Sequence, residues 1–246
     1  MNQPRSFSDS FGLGCMFMQF IKSVPYKQWF FLLFFLISIG CLSGTRPHVR
    51  LSPKLDKRLY QITPLPLTVG IYIEPTLRNY VQEVPLKQDE VGTPYYVFPD
   101  FVFPIGETLS SKIEEMSRIL FKKALLIDSL QNKELLNKEA LDGILAISLK
   151  NSEIELHMEV SVWRAIGHHN LSITASFLDT RLNTVWNSEV AVEGKGLDFV
   201  TSKVEHEWWM TTGPKFGPAV DDAVQKLIYE LAQKIISSKE ISEIRN

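Results

Sequence analysis

Glu153, Glu155, His157 and Glu159 stand at alternate positions of one short stretch. Carboxylates and an imidazole are ligands for divalent metals. A spacing of two puts all four on one face of a β-strand. Successive side chains on one strand face seldom converge on a point, and the residues between them (Ile154, Leu156, Met158) are apolar. The stretch therefore reads as an amphipathic strand with a solvated face, and no metal ligand is assigned. His168-His169 fall where two strands are expected to turn; as strand neighbours they would point to opposite faces. His206-Glu207 lacks the second His at i+4 that a zinc-protease helix requires, because residue 210 is Met. No Gly-x-Ser-x-Gly elbow, P-loop or dinucleotide fingerprint occurs. Gly194-Lys195-Gly196 reads as punctuation at a strand end. No catalytic residue and no cofactor is assigned, and the chain is read as a non-enzyme.

Two aromatic clusters are the remaining candidates. Trp208, Trp209 and Met210 lie in a stretch with neither strand nor helix period, and Tyr95, Tyr96 and Phe98 lie in another. Trp, Tyr and Met are enriched at protein interfaces, so both clusters are candidates for partner binding. The alternative is that the rings fold back to complete a core.

Composition narrows the field. Of 246 residues 45% are hydrophobic and 22% charged, which is a globular balance. The 26 basic and 28 acidic residues nearly cancel, so there is no electrostatic case for nucleic acid. Two cysteines, Cys15 and Cys41, exclude a disulfide scaffold.

The N-terminus reads as a targeting segment. Trp29 to Gly40 is almost wholly apolar, follows Lys22 and Lys27, and leads into Ser38-Ile39-Gly40-Cys41. The apolar core is too short to span a bilayer, which needs about 20 residues, and fits the core of a secretory signal. An uncleaved signal anchor is the other reading. The Ile39-Gly40-Cys41 run resembles the lipobox of bacterial lipoproteins, with Ser38 where that family has Leu. The resemblance implies that Cys41 becomes the first mature residue and carries acyl chains, which together give stable anchoring. By the sorting rule of the enteric lipoproteins, Leu42 rather than Asp favours the outer membrane. The implied organisation is a signal peptide over 1–40, a lipidated tether over 41–66 rich in proline, a single periplasmic domain over 67–238 and a tail over 239–246.

Within the domain, Leu67 to Glu74 is aliphatic, β-branched and bounded by prolines, and reads as a buried strand. Leu109, Ile113, Met116 and Leu120 share one helical face within Glu107 to Lys123, with Lys122-Lys123 at the favourable end of the helix dipole. Ala124 to Ile127 reads as a short strand, and Tyr95 to Phe103 as an edge strand. Asp142 to Lys150, Ser152 to Arg164, Leu171 to Asp179 and Val185 to Glu193 alternate like antiparallel strands. Asn151 and Asp179 to Asn183 are the expected hairpin turns. Pro218 to Ser237 is a helix with Val220, Val224, Leu227, Leu231 and Ile235 as its buried stripe. The expected class is α+β, a mainly antiparallel sheet with two long helices packed on one face.

This order, with Phe103-Pro104-Ile105-Gly106 entering the first helix, Asp142 to Ile147, Phe177-Leu178-Asp179-Thr180 and Ala219 to Ala223, resembles small envelope lipoprotein domains. These are the amino-terminal domain of TolB, the curli secretion lipoprotein CsgG and the penicillin-binding-protein activators. Such folds share no single function. The resemblance implies an accessory or assembly subunit of an envelope complex with a protein partner, or else a small-ligand or lipid-binding auxiliary of a transporter.

Overall fold

A computed structural model describes residues 46, 48–88, 100–130, 140–159, 164–199 and 216–244, except the side chains of 198 and 199. The signal segment, Cys41, Tyr95, Tyr96, Phe98, His206-Glu207, Trp208, Trp209 and Met210 lie outside the described residues.

Strand β1, Leu65–Ile73, buries Leu67, Val69, Ile71 and Ile73 on one face. Pro75 ends it and opens the short helix α1, Pro75–Arg78. Strands β2, Gln82–Val84, and β3, Leu86–Gln88, follow. Strand β4, Phe101–Phe103, pairs antiparallel with β2. Helix α2, Ile105–Leu120, buries the expected stripe Leu109, Ile113, Met116 and Leu120. It stops at Leu120, so Lys122 and Lys123 lie in strand β5, Phe121–Ile127, and not in a last helical turn. The cause is Phe121, which is buried and paired with Leu65 of β1, drawing the chain into a parallel strand.

The sheet order is β5-β1-β6-β7-β8, with β3 beside the far part of β6. Strand β6 is Gly143–Glu159, β7 is Arg164–Leu178 and β8 is Thr184–Phe199. β1 runs parallel to β5 and β6, and β3 runs parallel to β6; β6, β7 and β8 are antiparallel. The sheet is thus mixed: the long β6, β7 and β8 ladders are antiparallel, as expected, and β1, β3 and β5 add parallel pairs the sequence reading did not include. Parallel neighbours need a crossover connection, and the segment from α1 through α2 supplies it between β1 and β5.

Asn151 is not a hairpin turn. β6 runs through it as one strand of 17 residues, with a register shift against β7 between Leu149 and Asn151. In the main core cluster odd residues (Leu145, Ile147) point inward before this point and even ones (Ile154, Leu156, Met158) after it, while Ile144 is buried in the smaller cluster. A bulge absorbs the change of parity, and the polar pair Lys150-Asn151 sits at the switch. The Asp179 to Asn183 turn is where the sequence puts it. The Asp179 carboxylate accepts from the Arg181 and Asn183 amides, each at 2.8 Å, and Leu182 takes a φ of 68°.

Helix α3, Gly217–Ser237, buries Val220, Val224, Leu227, Leu231 and Ile235. It touches β7, β8 and α2, while α2 touches β1 and β5. Their buried side chains form one cluster with the aliphatic residues of β1, β6, β7 and β8. A smaller cluster joins Ile127, Leu141, Ile144 and Leu178. A last short helix, α4, is Lys239–Ser242.

β8 continues through Gly194-Lys195-Gly196, which are interior to the strand and not its end. Its outer edge is covered by α3: Lys226 Nζ donates to the Glu193 carbonyl at 3.0 Å, Lys234 Nζ to the Glu189 carbonyl at 2.6 Å, and the Lys195 amide to Asp222 Oδ2 at 2.9 Å. Charged side chains on an edge strand block pairing with a further strand.

The described part of the expected tether is docked on the domain. Leu55 and Leu59 are buried, Asp56 caps a 3-10 turn over Lys57–Gln61, and the Ser52 amide donates to Asp221 Oδ1 at 2.9 Å. Among the described residues no helix is long and apolar enough to cross a membrane.

Candidate functional site

The alternating face of β6 behaves as the apolar spacing implies. Glu153 and Glu155 are exposed, while Ile154, Leu156 and Met158 are buried behind them. Glu155 lies 3.4 Å from Lys87 Nζ of β3, and Glu159 pairs with Arg164 of β7. That pairing holds the Glu159 carboxyl below the ordinary range. Among the described residues no three His, Cys, Asp or Glu side chains are grouped to hold a metal.

His168 and His169 are not in a turn. They lie in mid-β7, opposite Glu155 and Ile154, because that strand begins at Arg164 rather than Leu171. His168 stays at the surface, 3.5 Å from Glu193. His169 is completely buried. Its Nε2 is 2.9 Å from Ser152 Oγ, and Ser152 Oγ donates to Gln82 Oε1, also at 2.9 Å. The Ser152 hydroxyl is thus shared between Gln82 Oε1 and His169 Nε2. His169 Nδ1 has no partner among the described residues. Burial pushes the His169 pKa down to about 4, so the ring is neutral near pH 7.

A serine beside a histidine invites comparison with nucleophilic catalysis. That chemistry needs the histidine to accept the serine proton and a third group to orient the ring. Among the described residues Nδ1 meets no carboxylate, and the Ser152 hydroxyl is shared with Gln82 Oε1. The trio joins β2 to β6 and β7. Sequence reading missed it because Ser152 and His169 meet only through the β6–β7 register.

A groove of about 610 Å³ lies between the chain after α1 and the first half of α2. Arg78, Val81, Glu107, Ser110, Glu114 and Leu126 line it. It lies beside the carboxyl ends of β1 and β5, where parallel sheets commonly bind ligands. Gly106 makes the approach possible: its amide donates to the Tyr80 carbonyl at 2.8 Å, and a Cβ there would stand 2.2 Å from the Leu77 carbonyl oxygen. Arg78 Nη1 donates to Asp128 at 3.0 Å. Arg78 Nη2 and Ser110 Oγ are buried without a partner among the described residues. Exposed Val81 and Leu126 supply an apolar flank, and Glu107 and Glu114 an acidic one. The Pro104-Ile105-Gly106 entry to α2 was the available signal for this groove.

No protein-family model matches the chain. No curated protein matches it either. Several solved structures are similar at low level. Protein XCC0632 from Xanthomonas campestris, of the family DUF330, overlays on 77% of this chain and 93% of its own, at 11% identity and a TM-score of 0.42. The minor lipoprotein from Acinetobacter baumannii overlays on 70% of this chain and 95% of its own, at 7% identity and 0.35. PelC from Paraburkholderia phytofirmans, a dodecamer, overlays on 69% of this chain and 90% of its own, at 9% identity and 0.33. Likeness at these values carries no argument about family or role.

Proposed function

We propose that the chain is a non-enzymatic lipoprotein of a bacterial envelope, held in the outer membrane through acylated Cys41 with its α+β domain on the periplasmic side. In this reading it serves as an accessory or assembly subunit of an envelope complex in secretion, transport or cell-wall synthesis. The observation that carries it is Cys41 set directly after the short apolar run Trp29 to Gly40, which ends in Ser38-Ile39-Gly40.

The test is metabolic labelling with a palmitate analogue, comparing the native chain with Cys41→Ala, followed by membrane fractionation. Label and membrane association that depend on Cys41 are expected. Equal label in both chains, or none, overturns the reading. Crosslinking and co-purification should then recover one defined partner, lost in a Trp208→Ala/Trp209→Ala double variant.

The groove at Arg78 favours a second reading, a small-ligand or lipid-binding auxiliary of a transporter. Mass spectrometry of anchor-free domain should then release a bound small molecule or lipid that is absent from an Arg78→Met variant.

A further inference from the structure

The strand register defines two ends of the domain. At one end Arg164 opposes both Glu159 and Phe199, where β6 and β8 finish and β7 begins. At the other is the Asp179 to Asn183 turn. β8 has sixteen residues, so the ends are about 50 Å apart.

The described chain begins partway along β6, nearer the first end than the second. β3 runs toward that end beside β6, with Leu86 opposite Leu156 and Gln88 opposite Met158. β2 runs the same way, because Gln82 already meets Ser152 of β6 four residues earlier. β4 is antiparallel to β2 and so runs back. His48 bridges Val102 in parallel, with the Val49 amide donating to the Val102 carbonyl at 2.8 Å. Following the chain from Arg46 to Val49 therefore leads away from the Glu159 and Phe199 end. The start of α3 belongs to the same region: Phe216 meets Phe101 edge-on at 5.0 Å between ring centroids.

Cys41 precedes Arg46 by five residues, which reach at most about 18 Å. This is well short of the separation between the two ends. Resting on the lipoprotein reading above, we propose that the part of the domain carrying Arg46, His48 and Asp100 faces a lipid surface, with the Asp179 to Asn183 turn directed away from it. Charge is not what turns the domain. Among the described residues there, Arg46 pairs with Glu83, Lys87 with Glu155 and Arg164 with Glu159. The short leash orients it, and the orientation is insensitive to salt.

Full-length chain processed in cells has no other free thiol once 1–40 is removed and Cys41 is acylated. A fluorophore is placed on Asp100→Cys or on Thr180→Cys, both exposed positions, and the chains are reconstituted in phosphatidylcholine vesicles with nitroxide headgroups. Quenching several-fold stronger at position 100 than at 180, unchanged by added salt, is expected. Arg50→Cys and Arg181→Cys repeat the comparison should either first variant misfold. Equal or reversed quenching in chains that carry the palmitate label overturns this orientation and leaves the lipoprotein reading standing. Absence of the label overturns both.

Discussion

A Cβ on Gly194 would stand 2.2 Å from the carbonyl oxygen of Ala219. β8 and the first turns of α3 thus pack backbone against backbone. Gly196 repeats the contact, with the Ala219 amide nitrogen at 2.4 Å. Gly194→Ala should therefore destabilise the domain by about 3 kcal/mol, at the upper end of overpacking costs, because backbone atoms cannot swing aside. Gly167→Ala is the milder comparison, since its nearest neighbour is the Ala219 Cβ at 2.9 Å. Urea midpoints of the three chains should rank native, Gly167→Ala, Gly194→Ala. Gly194→Ala as stable as the native chain would contradict the packing.

His169 should make stability depend on pH. Its folded pKa is pushed down to about 4, while an unfolded histidine titrates near 6.5. The fold holds the neutral ring, so this contribution is complete above pH 6.5. It is lost as pH falls through 6.5 toward 4, where the unfolded chain binds the proton and the folded one does not. The full loss is about 3 kcal/mol. His169→Gln should flatten this part of the pH profile measured by urea unfolding. An unchanged slope would show that other groups cause it.

Ser152→Ala tests the same cluster without titration. It leaves the buried Nε2 without its partner and should cost about 1–3 kcal/mol. Ser152→Thr retains the hydroxyl and should cost less. Equal losses would mean that packing at Ser152, not its hydroxyl, matters.

How legible all this was depends on the range of the interaction. The stripes Leu109 to Leu120 and Val220 to Ile235 follow a local 3.6 period, and each proved to be a buried helix face. The Asp179 turn is local too. Lys150-Asn151 deceived because a bulge in a long strand and a hairpin turn use the same polar residues. Lys122-Lys123 deceived because bases suit the end of a helix and the exposed face of a strand alike. Gly194 and Gly196 look like strand ends until α3 is placed over them. The Ser152 to His169 contact needs a register no single stretch contains, and the groove at Arg78 needs three elements brought together.

The edge of β8 offers a prediction about association. Lys226 and Lys234 occupy the Glu193 and Glu189 carbonyls. Lys226→Glu/Lys234→Glu removes both donors and places carboxylates against those carbonyls. The freed edge should then pair with other chains, and light scattering should show more oligomer than in the native protein. A monodisperse double variant would mean that α3 shields the edge by bulk alone.

Arg78 separates the two uses of the groove. Its partner Asp128 is 86% exposed, so that ion pair is worth little, about 0–1 kcal/mol. Its Nη2 is a buried donor without a partner among the described residues, which disfavours the fold. Arg78→Met keeps the apolar stem and removes both effects, so thermal stability should stay level or rise slightly. A guanidinium kept at the expense of stability is what ligand binding would require. Unfolding of Arg78→Met at a clearly lower temperature than the native chain would instead make Arg78 a structural residue, and would remove the groove's main polar group from the ligand reading.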